Sequence, residues 1–113
     1  MILVTGGAGF IGSHTCIALA QAGVPYLILD NFCNSRRSVL ERLGRITGAQ
    51  PQCIEGDVRD EALLARVFAQ HPIDGVIHFA ALKAVGESVR EPLRYYDNNV
   101  SGTVTLLRAM QAA

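Results

Sequence analysis

The sequence has no surplus of either charge: ten Lys and Arg stand against ten Asp and Glu, for a formal net charge of zero. That balance offers nothing to a nucleic acid or an anionic membrane, both of which attract basic clusters. There is no basic-then-apolar leader, and no apolar run comes near the ~18 residues that a membrane span requires, so a cytoplasmic protein is expected. Cysteine is sparse. Cys16, Cys33 and Cys53 show no paired spacing and have no His or Cys neighbours of the metal-binding kind, so free thiols are expected and a metal is not. No internal linker divides the 113 residues. A chain of that length makes at most one domain, able to bury about 65% of its unfolded surface.

Glycine, by contrast, is concentrated where it carries information. Thr5-Gly6-Gly7-Ala8-Gly9-Phe10-Ile11-Gly12 directly follows the apolar run Ile2-Leu3-Val4. Glycines at 6, 9 and 12 allow a sharp turn off a strand, close approach of a pyrophosphate to main-chain N–H groups, and close packing of the next helix on the sheet. The phosphates would lie at the positive end of that helix. A second apolar run, Tyr26-Leu27-Ile28-Leu29, ends in Asp30, about where a Rossmann unit places the carboxylate that binds the adenosine ribose hydroxyls. A carboxylate there repels a 2′-phosphate and favours NAD over NADP, although Arg36 and Arg37 follow closely. The other kind of phosphate loop fails, because Ser13-His14 stand where it needs Lys followed by Ser or Thr.

Strand-like and helix-like segments alternate along the whole chain, the sign of an α/β domain with a parallel sheet. Helix composition runs from Ile11 to Ala22 and stops at Gly23, with Pro25 beyond it. Tyr26 to Asp30 reads as the second strand and Asn31 to Arg37 as a polar turn. Ser38 to Ile46 places Val39, Leu40, Leu43 and Ile46 at helical spacing before Gly48. Gln52 to Glu55 makes a short third strand. Asp60 suits the N-cap of a helix over Glu61 to Gln70, whose Leu63, Leu64, Val67 and Phe68 form a core stripe. Gly75 to Phe79 is nearly continuous in apolar character, as a central parallel strand should be. Pro92 to Ala113 reads as one long helix, with apolar residues through Val100, Val104, Leu107 and Met110. The expected fold is a Rossmann-type parallel sheet of about four strands in the order 3-2-1-4 with flanking helices, an incomplete version of the doubly wound fold.

Ligands of open parallel sheets sit outside the carboxyl ends of the strands, near the switch in strand order. Asp57-Val58 follow the third strand, and a carboxylate beside a backbone N–H can pair with the donor and acceptor on an adenine edge. Phe79-Ala80-Ala81 follow the fourth. Their small side chains let a ribose or nicotinamide lie against the main chain, with Lys83 placed to direct a cation at the ribose or an incoming sugar diphosphate. His78 stands inside an apolar strand and reads as a hydrogen-bonded core histidine, and His14 likewise reads as structural. Asn98 and Asn99 can reach the cofactor or tie loop carbonyls.

The segments Asp30 to Ser35, His78 to Ser88 and Tyr95 to Asn99, together with the glycine turn, resemble the UDP-glucose 4-epimerase family of extended short-chain dehydrogenase/reductases over the whole chain. That resemblance implies NAD as a bound prosthetic group, with Gly6, Gly9, Phe10, Ile11 and Gly12 on its pyrophosphate. It implies Asp30, Asn31, Phe32, Cys33, Asn34 and Ser35 around the adenosine ribose, and Asp57 and Val58 on adenine. Phe79, Ala80, Ala81 and Lys83 would line the nicotinamide half, Asn98 would complete the cofactor shell, and Lys83, Ala84 and Val85 would border the sugar nucleotide. The implied chemistry belongs to galactose metabolism: hydride from hexose C4 is lent to NAD and returned to the other face of a 4-keto sugar, interconverting UDP-glucose and UDP-galactose.

One family feature is missing. No Tyr is followed four residues later by Lys: Tyr26 meets Asp30, Tyr95 meets Asn99 and Tyr96 meets Val100. Without a lysine-lowered phenol the C4 hydroxyl has no base. The chain is therefore expected to be a truncated, NAD-binding segment that lacks catalytic residues and a substrate domain and is inactive alone, from an intact isomerase that is a homodimer. The alternatives are a segment of another NAD-dependent sugar-nucleotide epimerase or dehydratase, and a non-enzymatic nucleotide-binding or assembly module. Self-association is expected from an uncovered apolar face at Val100 to Met110.

Overall fold

Alternation within the strands decides the layering. In the computed structural model, which describes residues 1–113, Leu3, Leu27 and Leu29 turn to one face of the sheet and Val4 and Ile28 to the other. This is the two-residue period of a strand with both faces covered, and all five side chains are essentially inaccessible to water. Strands β1 (Ile2–Thr5), β2 (Tyr26–Asp30), β3 (Cys53–Glu55) and β4 (Gly75–His78) pair in parallel, in the order β3-β2-β1-β4. Leu3 sits between Leu27 and Val76, and Leu29 lies beside Ile54. The predicted order and fold class are those observed.

Helices α1 (Phe10–Gln21) and α2 (Ser38–Thr47) cover the Val4 and Ile28 face with Cys16 and Leu43. Helices α3 (Glu61–Gln70) and α6 (Gly102–Ala112) cover the leucine face with Leu64, Val67 and Leu106. Each fully buried Leu or Val contributes about 1.5–3 kcal/mol, so the larger cluster, on the α3 and α6 side, carries more of the stability. The ends follow the local chemistry. Asp60 caps α3 by accepting from the Leu63 N–H at 3.0 Å, and Gly48 ends α2 in the left-handed conformation at φ 82°. No helix is long and apolar enough to cross a membrane.

The expected helix from Pro92 to Ala113 is not uniform. It runs as α5 (Pro92–Tyr95), a π-helical stretch over Tyr96–Ser101, and then α6. A wider π turn inserts an extra residue and rotates what lies within it, a device frequent at functional sites. A further short helix, α4 (Val85–Arg90), stands where no helix was expected. Helix α6 places Gly102 and Leu106 in the core and Ala109 against it. Val104 and Leu107 lie on its other side at 42% and 56% exposure, next to Val100 of the π-helical stretch at 54%, so the uncovered apolar face is present.

Candidate dinucleotide-binding site

The carboxyl ends of β1, β2, β3 and β4 open into a cleft of about 430 Å³. Its floor is the glycine turn. Gly6 takes φ 69°, and a side chain there would collide with the Phe79–Ala80 peptide at 2.8 Å. A Cβ on Gly12 would lie 2.2 Å from the Gly6 carbonyl oxygen, so only glycine lets α1 start this close to the strand end. No side chain caps the N-terminus of α1 and no acidic residue occupies its first turn. Phe10, Ile11 and Gly12 line the cleft there, presenting first-turn N–H groups and the positive end of the helix.

Asp30 forms the next part of the wall at 8% exposure. Its Oδ2 accepts from the Ala8 N–H at 3.1 Å, and its Oδ1 accepts from the Phe32 N–H at 2.8 Å and the Ser35 hydroxyl at 3.1 Å. The carboxylate thus ties the glycine turn to the loop after β2 and remains at the cleft surface. Asp57, beyond the neighbouring strand β3, lines the cleft too. The Arg59 side chain binds Asp57 through a two-pronged fork, Nε to Oδ1 at 2.9 Å and Nη2 to Oδ2 at 2.8 Å, and this holds the carboxyl down at about 2 against the opposing effect of burial.

At the other end the cleft is bordered by the loop after β4, and a directed chain of hydrogen bonds holds that loop. Thr103 donates its hydroxyl to the Asn99 carbonyl at 2.6 Å, so toward His78 Nε2, 3.2 Å away, it can only accept. His78 therefore carries its proton on Nε2, and Nδ1 accepts from the Thr5 hydroxyl, which in turn accepts from the Ala80 N–H at 3.3 Å. Burial, and then the Lys83 charge, lower the His78 pKa, in keeping with a neutral ring. His78 is structural, as its apolar strand suggested. His14 is structural too: its Nδ1 donates to the Phe10 carbonyl at 2.7 Å.

Asn99 spends its amide on the main chain of Leu82, while Asn98, 8% exposed, lines the cleft. Tyr95 is a clasp. Its hydroxyl donates to Glu87 at 3.0 Å and accepts from the Ala84 N–H at 3.1 Å, fastening the chain that enters α4. Burial first, and then the Glu87 carboxylate, raise its pKa.

The cleft brings together nearly every residue expected from the sequence: the glycine turn with Phe10 and Ile11, Asp30, Asn31, Cys33, Asn34, Ser35, Asp57, Val58, Phe79, Ala80, Ala81, Lys83, Ala84 and Asn98. Two expected residues lie outside it. Phe32, in the left-handed region at φ 56°, turns its ring under the Arg37 guanidinium at 4.8 Å. Val85 opens α4 and is 81% exposed. The sequence reading missed Leu29, Gly56, Leu82, Glu87 and Tyr95 as lining residues, and Arg59 as the partner of Asp57. For Arg59 a signal was available, since an arginine two residues beyond a loop aspartate can fold back onto it.

Residues 3–113 match the family model described as GDP-mannose 4,6 dehydratase. Over 112 residues, 99% of this chain, the UDP-glucose 4-epimerase of Klebsiella pneumoniae is 56% identical, and the match covers 81% of that protein. The chain belongs to this family, in its UDP-glucose 4-epimerase branch. The epimerase of Yersinia pestis is 61% identical over the same share, but the chain spans only 33% of its length. Among solved structures, the UDP-glucose 4-epimerase of Bifidobacterium longum in complex with NAD+ and UDP superposes on 98% of this chain with a TM-score of 0.95 and 55% identity. The match covers 33% of that epimerase. The fold described above is thus the fold of the corresponding third of a crystallised epimerase.

Proposed function

We propose that residues 1–113 form the NAD-binding segment of a UDP-glucose 4-epimerase whose intact form interconverts UDP-glucose and UDP-galactose. One observation carries this reading: a single cleft joins the glycine turn, Asp30, Asp57 and the Lys83–Ala84 edge, in a member of the epimerase branch. The residues fit the cofactor. Glycine at 6 and 12 lets α1 begin hard against the strand end, with its uncapped N-terminus at the cleft, and the buried Asp30 carboxylate suits ribose hydroxyls and opposes a 2′-phosphate. We assign the pyrophosphate to Gly6, Gly9, Phe10, Ile11 and Gly12, the ribose to Asp30 and the following loop, and adenine to Asp57 and Val58. Phe79, Ala80, Ala81, Lys83 and Asn98 take the nicotinamide half.

NAD, when bound, supplies an acceptor for hydride at hexose C4. The residues of this chain bind and orient it, and Lys83 and Ala84 border the UDP-hexose. They do not move the hydroxyl proton: the only tyrosine lining the cleft, Tyr95, is held as a protonated donor to Glu87. A broader role among sugar-nucleotide epimerases and dehydratases draws support from the description of the family model, but the identity to named 4-epimerases favours the epimerase reading. The three unpaired thiols support a reducing, cytoplasmic setting.

Calorimetric titration of the chain with NAD and NADP, beside Asp30→Ala, tests the assignment. Saturable NAD binding that is weakened in the variant supports it. A folded chain that binds neither nucleotide overturns it.

A further inference from the structure

The adenine end of the cleft contains a carboxylate with no acceptor capacity to spare. Asp57 Oδ1 accepts from the Arg59 N–H and Nε, both at 2.9 Å, and Oδ2 accepts from Arg59 Nη2 at 2.8 Å and from Asn31 Nδ2 at 3.2 Å. A carboxylate offers about four lone-pair sites, so an incoming donor must displace one of these partners. Three of the four bonds come from Arg59, whose planar fork matches the carboxylate and is hard to remove piecemeal. The fourth, from Asn31, is the longest and rests on a single amide N–H. Asn31 is the partner that can yield.

Arg59 is also held from behind. Its Nη1 donates to Asp97 Oδ2 at 2.6 Å, and Asp97 is next in sequence to Asn98, which lines the cleft. An isolated exposed ion pair is worth little, but a bidentate fork anchored at a third point is the geometry in which such pairs do hold a group in place. Next to Asp57, the Val58 N–H has no acceptor within the chain. A fixed acceptor and a free donor therefore sit side by side.

We propose that Arg59 is the positioning residue of the adenine end: it locks the Asp57 carboxylate as an acceptor, and the amino group of the base takes the place of the Asn31 amide. This rests on the NAD reading above. Adenine presents a 6-amino donor beside the N1 acceptor and matches the Asp57 and Val58 pair. A 6-oxo purine presents an acceptor beside an N1–H donor, and meets like with like at both points. The lock makes this end of the site selective for a 6-amino purine, which placement of the ribose and phosphates alone does not achieve.

The test compares NAD with its hypoxanthine analogue, by calorimetry, on the full chain and on Arg59→Ala, Arg59→Lys and Asp97→Asn. Thermal melting confirms that each variant is folded, and Arg59→Lys keeps the charge while removing the fork. The unaltered chain is expected to prefer NAD by about tenfold or more, the scale of one well-made charge-assisted hydrogen bond. In folded Arg59→Lys the preference is expected to shrink to less than about threefold, through weaker binding of NAD and not of the analogue. Asp97→Asn is expected to fall between. An unchanged preference in folded Arg59→Lys, or equal binding of both ligands by the unaltered chain, overturns the proposal. Failure of the unaltered chain to bind NAD at all strikes instead at the NAD reading beneath it.

Discussion

Asn99 grips both polar groups of the Leu82 main chain: its Nδ2 donates to the Leu82 carbonyl and its Oδ1 accepts from the Leu82 N–H, each at 2.8 Å. Asn98 Nδ2 donates a second bond to the same Oδ1 at 2.9 Å. A loop that carries Ala81 and Lys83 to the cleft is thereby fixed to a helical element distant in sequence. Leucine at this position is 5% exposed, so water cannot readily replace the asparagine. Asn99→Ala is expected to lower stability by about 1–3 kcal/mol and to weaken nucleotide binding as well, read by urea denaturation and by titration with NAD. Full stability in the variant would show that the loop holds without the clamp.

Two glycine-to-alanine changes separate close approach from backbone conformation. Gly48 has φ 82° with nothing within 4 Å of the point a Cβ would occupy, so Gly48→Ala should cost only about 1 kcal/mol of left-handed strain. At Gly12 the new methyl would meet the Gly6 carbonyl at 2.2 Å with backbone on both sides of the contact. Gly12→Ala is expected to cost about 3 kcal/mol or more and to abolish nucleotide binding. Thermal melts of the two variants, set beside the parent, decide the ranking.

His78 predicts a pH dependence of known sign. Its folded pKa lies below the usual value of 6.5 because burial, and then Lys83, disfavour the cation. Below pH ~6.5 the unfolded chain binds a proton that the folded chain does not, so stability falls as pH drops through that region. His78→Gln should remove this slope between pH 7.5 and 5.5 while costing stability at pH 7.5. Urea midpoints at the two pH values give the comparison, and an unaltered slope in the variant would assign it to another group.

The face formed by Val100, Val104 and Leu107 should drive association of the chain. Sedimentation velocity is expected to show a larger species as concentration rises, and Leu107→Glu should shift the distribution toward monomer. A strictly monomeric profile at high concentration would refute this expectation.

Supplied with NAD and UDP-glucose, the 113 residues alone are expected to form no UDP-galactose. None of their tyrosines has the paired lysine that would make it a base. Chromatography of the sugar nucleotides after prolonged incubation checks this, and turnover would require a base among the residues described.

Local chemistry was enough for the four strands, for helices α1 to α3 and for the residues at strand ends. Apolar runs that end at a glycine turn or an aspartate declare both the strand and the place where a ligand lies, because strand period and turn conformation are set by neighbours in sequence. Asp60, Gly48 and the order of the strands could be read in this way, as could most of the cleft lining. The parallel sheet, the glycine turn and the two carboxylates at the strand ends, Asp30 and Asp57, were all legible in the sequence.

What each of those groups is bonded to emerged from the folded chain alone. The grip of Asn99 on Leu82, the reach of Arg59 to Asp97 and the clasp of Tyr95 on Glu87 join segments whose separation hides the pairing from any periodicity. The π-helical stretch at Tyr96–Ser101 was equally hidden, since helix propensity does not distinguish an extra residue in a turn from a regular one. Phe32 lies outside the cleft because its ring stacks under the Arg37 guanidinium, and Val85 because it opens α4 and turns to solvent. A residue's sequence neighbours set its backbone, but the direction of its side chain is decided only in the folded chain.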